Sequence, residues 1–198
     1  MCSSEFSLVE KAKNGDDKAL NELLFKEQKF ILNLMYQLTG DRAEADDLTQ
    51  EALIKAYQKI KSFRYEAKFR TWLSKIAINI FRMKYRLEAK HNSICLEEIK
   101  TPAADGIPER IVIKREMQWC ISHSLKYHVP KKYRIVLVLR DLQEFSYKEI
   151  SEVLGWSISK VKTRIHRARN ILRNHFINGK CKAFARDYLC ICDGILKL

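Results

Sequence analysis

Apolar residues at three- and four-residue steps run through most of this chain, and little interrupts them. Leu20, Leu23, Leu24, Ile31, Leu34, Met35 and Leu38 trace one stripe before Thr39-Gly40-Asp41 breaks it. A period near 3.6 places such residues on one face of an α-helix. Glycine and proline number only 6 and 3 in 198 residues, too few for the turns of a β-sandwich or barrel. The expected fold class is therefore all-α. A second helix is expected over 43–60, with Leu48, Ala52, Ile54, Ala56 and Tyr57 inward. A third is expected over 69–87, with Trp72, Leu73, Ile76, Ala77, Ile80 and Phe81 inward, and 62–68 reads as a loop.

Between 88 and 109 the character changes. Pro102, Pro108, Gly106 and the run Thr101-Pro102-Ala103-Ala104-Asp105 read as a linker. Helical patterning resumes over 111–126, 131–141, 147–154 and 158–176. The expected organisation is two small helical domains, 1–88 and 111–177, joined by a flexible linker at 89–110 and followed by a C-terminal extension at 178–198.

Lys plus Arg number 37 against 24 acids, giving a net charge of +13. A surplus of that size points to a polyanionic partner, nucleic acid before an acidic membrane surface. No apolar run approaches the ~18 residues of a membrane span, so membrane insertion is not expected. Met1 to Glu10 has two acids and no basic stretch ahead of an apolar core, so it does not read as a signal peptide. The expected location is the cytoplasm. Cys2, Cys95, Cys120, Cys181, Cys190 and Cys192 are scattered without a CxxC pair, which favours reduced thiols over a disulfide framework.

The strongest local pattern lies at 146–173. Ser146-Tyr147-Lys148-Glu149 has the S-x-x-E form in which a serine hydroxyl and a glutamate cap each other's backbone N–H groups. Ile150, Val153 and Leu154 follow, then Gly155, suited to the positive φ that closes a helix. Ser157 can cap the next helix, whose inward positions are Ile158, Val161, Ile165, Ala168 and Leu172. Lys160, Lys162, Thr163, Arg164, His166, Arg167, Arg169 and Arg173 fill most of its remaining surface, and no acid occurs from Ser157 to Lys180. Such a helix repels itself unless phosphates neutralise it. Two short helices about a glycine turn form a helix-turn-helix, whose second helix can enter the major groove. The alternative is a basic surface helix without a specific partner.

The stretch from Tyr133 to Arg173 resembles region 4 of the sigma-70 family, in the form found in its compact extracytoplasmic-function (ECF) class. The matching features are Arg140-Asp141 ending a Leu-rich helix, the S-Y-x-E-I start, Leu154-Gly155 and the V-x-x-R-I-x-R-A-R run from Val161 to Arg169. The resemblance implies that this domain reads the promoter −35 element through Ser159, Lys160, Lys162, Thr163, Arg164, His166 and Arg167. It also implies a grip on the flap of the RNA polymerase β subunit.

The segment from Leu38 to Glu51 resembles region 2.1–2.2 of the same class and ends in its D-L-x-Q-E pattern. Asp47, Gln50 and Glu51 stand at i, i+3 and i+4, so one helical face presents them. By resemblance, Asp47, Leu48, Gln50 and Glu51 dock on the β′ clamp helices of the polymerase. A favourable acidic first turn is a rival account of Glu44 to Asp47, though not of Gln50 and Glu51.

Residues 69–86, FRTWLSKIAINIFRMKYR, resemble regions 2.3–2.4. Arg70, Lys75, Arg82, Lys84 and Arg86 interleave there with Trp72, Phe81 and Tyr85, and no acid intervenes. Cations neutralise phosphates and aromatic rings stack unpaired bases, the combination needed to hold a melted strand. By resemblance, the −10 element is met by Phe63, Arg64, Lys68, Trp72, Asn79, Arg82, Lys84 and Arg86. The loop 62–68 receives a flipped base near Phe63 and Asn79, and an Asn there can pair with a base edge. Trp72, Ile76 and Ile80 read equally well as core.

The resemblance spans 6–176, with no recognisable region 1.1 or region 3. It implies a promoter-specificity subunit that binds core RNA polymerase and promoter DNA, carries no catalytic group or cofactor, and has a protein inhibitor, an anti-sigma factor, among its partners. A stand-alone helix-turn-helix regulator and a metal-dependent nuclease are the rival functions. The acidic helix speaks against the first, and the lack of a metal-ligand cluster against the second. In the tail, Phe184, Tyr188, Ile191 and Ile195 form a stripe beside Cys181, Cys190 and Cys192. That stretch reads as a packed helix, as a metal or redox sensor with His175, or as a regulator's docking surface. Its C-x8-C-x-C spacing is not a usual zinc pattern.

Overall fold

The computed structural model describes residues 3–91 and 124–178, and these are helical without a strand among them. Helix α1 is Ser3–Lys13, α2 is Asp17–Thr39, and α3 is Arg42–Lys59, which ends in a 3-10 turn, Ile60–Ser62. A loop leads to α4, Phe69–His91. After helical residues 124–128 come α5, Lys131–Leu137, a π-helical turn Val138–Leu142, α6, Tyr147–Leu154, and α7, Ile158–Asn178. The expected linker, most of the 111–126 helix and the cysteine-bearing tail lie outside the described residues.

Local chemistry fixes the helix ends. The Asp16 carboxylate accepts from the N–H groups of Lys18 and Ala19, and Asp41 accepts from that of Glu44. Between them Gly40 closes α2 at φ 68°, its N–H donating to the Tyr36 carbonyl. The Thr39 side chain is fully buried, its hydroxyl within hydrogen-bond distance of the Met35 and Asp41 carbonyls and accepting from the Asp41 N–H.

The core follows the apolar stripes, with instructive departures. Leu20, Leu23, Ile31, Leu34, Met35 and Leu38 on α2 meet Ala45, Leu48, Ala52 and Ala56 on α3. Because α3 packs mainly through alanines, its buried face is narrow. Ile54 and Tyr57, expected inward, stand 58% and 43% exposed instead. On α4 the inward set is Phe69, Leu73, Ala77, Ile78, Ile80 and Phe81, while Trp72 and Ile76 are half-buried. Ile158, expected inward on α7, is the helix's first residue and is 45% exposed, while Val161, Ile165 and Ala168 are buried. Each fully buried large side chain contributes about 1.5–3 kcal/mol of transfer energy.

The two helical blocks, expected on a tether, pack directly on one another and share one apolar cluster. The Phe30 and Phe145 rings stack with centroids 6.0 Å apart. The Gln143 side-chain amide donates to that of Gln37 at 2.7 Å. Arg134, 3% exposed, donates through one guanidinium nitrogen to the Leu38 carbonyl at 2.8 Å, and through the other to the Lys126 carbonyl. It thereby satisfies a carbonyl at the α2 C-terminus that the helix itself leaves orphaned. Burial holds the Arg134 guanidinium down at about 10, with Tyr85, Tyr127 and Glu44 pulling the other way, so it remains a cation at neutral pH.

Candidate functional site

Three surfaces carry the sequence-predicted residues. The first lies on α3. Asp47, Gln50 and Glu51 are exposed on one face, as their spacing requires. Leu48, grouped with them, is 2% exposed and belongs to the core, since it sits on the opposite side of the helix. The exposed face continues with Ile54, Tyr57 and Gln58, the next steps of three and four. With Phe25 of α2, itself 77% exposed, and Leu24 and Leu53, these line an open apolar groove of about 680 Å³. The Tyr57 hydroxyl donates to Asp17 at 2.7 Å, and that bond and the Asp17 charge raise its pKa. The stepping from Asp47 to Glu51 extrapolates to Ile54 and Tyr57. Their apolar character argues for core, since apolar residues on a helix are usually inward, and the structure exposes them instead.

The second surface is a cleft of about 290 Å³ between the 62–68 loop and α4. Arg64, Thr71, Trp72 and Lys75 line it, with Phe63 at its base. Phe63 is 2% exposed and packs its ring against Tyr65, Phe69 and Trp72 with centroids 5.1–5.9 Å apart. The loop is pinned from α1. The Lys13 ammonium donates to the Phe63 carbonyl at 2.7 Å and sits 4.7 Å from the Tyr65 ring centroid, and the Phe6 ring stands 5.0 Å from Tyr65. Tyr65 holds φ 60°, an uncommon left-handed conformation for a bulky residue. Burial, then the Glu10 charge, raises its hydroxyl pKa.

The structure sorts the remaining candidates of this region. Asn79 is exposed but stands outside the cleft lining, one turn beyond Lys75, and Lys75, Asn79, Arg82 and Arg86 form an exposed row along α4. Lys84 points elsewhere and pairs with Glu44 at 3.0 Å. Arg70 is bound to Glu27 by two hydrogen bonds, at 2.7 and 3.0 Å, and lies over the Phe30 ring, which makes it structural. Lys68 pairs with Glu149 of α6 at 3.0 Å, and Glu152 of α6 joins the cleft lining.

The third surface is the helix-turn-helix. The Ser146 hydroxyl accepts from the Glu149 N–H while the Glu149 carboxylate accepts from the Ser146 N–H at 2.9 Å, completing the capping box. Burial alone would raise the Glu149 pKa, but its bonds from Ser146 and Lys68 prevail and hold it below the ordinary carboxylate range. Gly155 takes φ 65°, and Ser157 caps α7 through the Lys160 N–H. On α7, Ser159, Lys160, Lys162, Thr163, His166 and Arg167 are exposed. Arg164 is half-buried, its guanidinium 4.2 Å from the Trp156 ring centroid. Arg169 points inward to a bidentate pair with Asp141 at 2.5 and 3.1 Å, fixing α7 to the π turn rather than facing a partner.

Family models match both helical blocks: the one described as sigma-70 region 2 over residues 24–91, and the one described as sigma-70, region 4 over residues 128–172. The ECF RNA polymerase sigma factor SigW of Bacillus subtilis is 36% identical over 174 residues, covering 83% of this chain and 92% of that protein. The ECF RNA polymerase sigma-E factor of Escherichia coli is 30% identical over 178 residues, covering 84% and 91%. Among solved structures, CnrH in complex with the cytosolic domain of CnrY matches with a TM-score of 0.65 at 22% identity, over 86% of this chain and 95% of that one. RpoE of Bartonella quintana, solved with the anti-sigma factor NepR, matches with a TM-score of 0.64 at 23% identity, over 79% and 96%. These two likenesses concern the fold.

Proposed function

The chain belongs to the sigma-70 family, in its ECF class, and so is a promoter-specificity subunit that binds core RNA polymerase and directs it to promoter DNA; within that role we propose the following division of labour among its three surfaces. The α3 face formed by Asp47, Gln50 and Glu51 docks on the β′ clamp helices, with the Phe25–Ile54–Tyr57 groove extending the contact. The cleft at Phe63, Arg64, Trp72 and Lys75 takes an unstacked −10 base. The row Lys75, Asn79, Arg82 and Arg86 tracks the strand's phosphates. The exposed side of α7 enters the −35 major groove, and region 4 grips the β flap.

The observation that carries this is the separation of charge. A chain of net +13 keeps Asp47 and Glu51 exposed beside an apolar groove on α3, with Glu51 sharing its charge with Lys55 one turn on. DNA repels such carboxylates, while a protein surface that offers cations is attracted to them. The domain limits we propose are 1–88, 89–110 and 111–177, with 178–198 as an extension. The protein acts in the cytoplasm and without catalytic turnover of its own. The solved relatives were captured with CnrY and with the anti-sigma factor NepR, which supports an anti-sigma partner here too.

Run-off transcription by purified core polymerase on a promoter library tests the reading. Adding the full chain is expected to yield transcripts sharing −35 and −10 sequences. A uniform transcript pool with and without the chain would contradict it.

A further inference from the structure

One serine ties down the turn of the helix-turn-helix. The Ser151 carbonyl accepts from the N–H groups of Gly155 at 2.9 Å and Trp156 at 3.2 Å, and the Ser151 hydroxyl donates to the Trp156 carbonyl. The Trp156 backbone is thereby held at both its polar groups, beside a glycine at φ 65°. Its indole is half-buried against the core, and two cations of α7 lie over it. The Arg164 guanidinium stands 4.2 Å and the Lys160 ammonium 5.3 Å from the ring centroid. Neither cation has a salt bridge among the described residues, and no acid occurs from Ser157 to Lys180.

Left to themselves, like charges at i and i+4 repel, and long side chains spread over many rotamers. The negative face of an aromatic ring attracts a cation within about 6 Å, so the indole offsets that repulsion and confines both charged heads. A guanidinium over a ring keeps its fork of N–H donors directed outward in its own plane. Position on the helix then decides what those donors can reach. At about 100° per residue, Lys160 and Arg164 fall about 40° apart on one edge of the exposed face of α7, Lys162 falls on the other edge, and Ser159 and Thr163 lie between. A helix is about 10–12 Å across and the major groove about 12 Å wide, so the middle of that face meets bases and its edges meet the phosphate walls. The Lys162 edge is held more loosely, its ammonium 5.8 Å from the centroid of a Tyr147 ring that also takes Arg140 at 4.8 Å.

We propose that Trp156 is a positioning residue for −35 binding. Fixed in the turn by Ser151, its indole holds Arg164, with Lys160 beside it, as a preset pair of cations for the phosphates along one wall of the major groove. Trp156 itself touches no DNA and acts through Arg164. The proposal rests on the reading of α7 as the −35 recognition helix.

A double-mutant cycle tests it, read as the affinity of the holoenzyme, full chain plus core polymerase, for one promoter recovered from the library above. Trp156→Leu keeps an apolar side chain against the core and removes the ring, Trp156→Met does the same with a different shape, and Trp156→Phe keeps a ring. W156L and W156M are expected to raise Kd about fivefold, and W156F less than about twofold. Arg164→Ala should raise Kd at least as much and lower the slope of log K against log salt by about 0.9. In the R164A background W156L should add nothing, whereas damage to the fold would weaken both backgrounds alike. An equal W156L effect with and without Arg164, or unchanged affinity in W156L beside a weakened R164A, would overturn the role of Trp156 and leave the α7 reading standing. A silent R164A beside a weakened Lys162→Ala would overturn it too. Affinity that ignores Lys160, Lys162, Arg164 and Arg167 alike would overturn the α7 reading and the positioning role with it.

Discussion

Lys68 and Glu149, 81 residues apart in sequence, meet at 3.0 Å across the junction of the two regions. The same carboxylate caps α6 through Ser146, so one side chain serves both the local helix start and the contact between domains. Glu27, Arg70 and Glu144 line the adjoining space. Because the folded carboxyl is held below its ordinary pKa, its contribution is complete above the unfolded value of about 4.3. It is lost as pH falls through the folded value. Urea midpoints measured from about pH 7 down to about pH 3 should therefore fall more steeply for the native chain than for Glu149→Gln. Parallel curves would show that the Glu149 charge adds nothing to stability.

Arg134 is the buried counterpart of that exposed pair. Replacing it with Met leaves the Leu38 and Lys126 carbonyls without their donor. An unpaired buried acceptor costs about 1–3 kcal/mol, offset in part by the desolvation that the guanidinium no longer suffers. Equilibrium urea unfolding of Arg134→Met should show a net loss of about 1–2 kcal/mol, and no loss would mean the cation adds nothing to the junction.

The groove on α2 and α3 should matter for binding and not for folding. Phe25 and Ile54 are 77% and 58% exposed, so Phe25→Ser with Ile54→Ser should change stability by no more than about 0.5 kcal/mol each. Loss of two apolar anchors should weaken core-polymerase binding about tenfold or more. Leu48→Ala reverses the pattern, costing about 2–5 kcal/mol of stability because its side chain is core.

On α7, Lys162 and Arg167 are exposed and without ion-pair partners among the described residues. If each neutralises one phosphate, Lys162→Ala or Arg167→Ala should reduce the slope of log K against log salt by about 0.9. The loss should be nearly uniform across −35 sequences. A sequence-dependent loss with an unchanged slope would assign them to base edges instead.

What could be read in the sequence was mostly local. The Ser146–Glu149 box and Gly155 involve neighbours within a helical turn, so spacing alone reveals them. The width of a buried face is not local. Ile54, Tyr57 and Ile158 fell on the wrong side because periodicity gives a face's direction and not how far its partner covers it. Exposed apolar residues beside Asp47 and Glu51 depart from the core rule at the surface we propose for the polymerase contact. Contacts such as Arg134 with Leu38, 96 residues apart, leave no trace in patterning, and neither does the π turn that orients Asp141 toward Arg169.

Binding of the full chain to core RNA polymerase freed of its specificity subunit tests the central claim most directly. The native chain should bind. Asp47→Lys with Glu51→Lys should raise Kd roughly a hundredfold, since the proposed contact then meets reversed charges, while the thermal unfolding temperature stays unchanged. Failure of the native chain to bind, or equal affinity of the charge-reversed chain, would contradict the account.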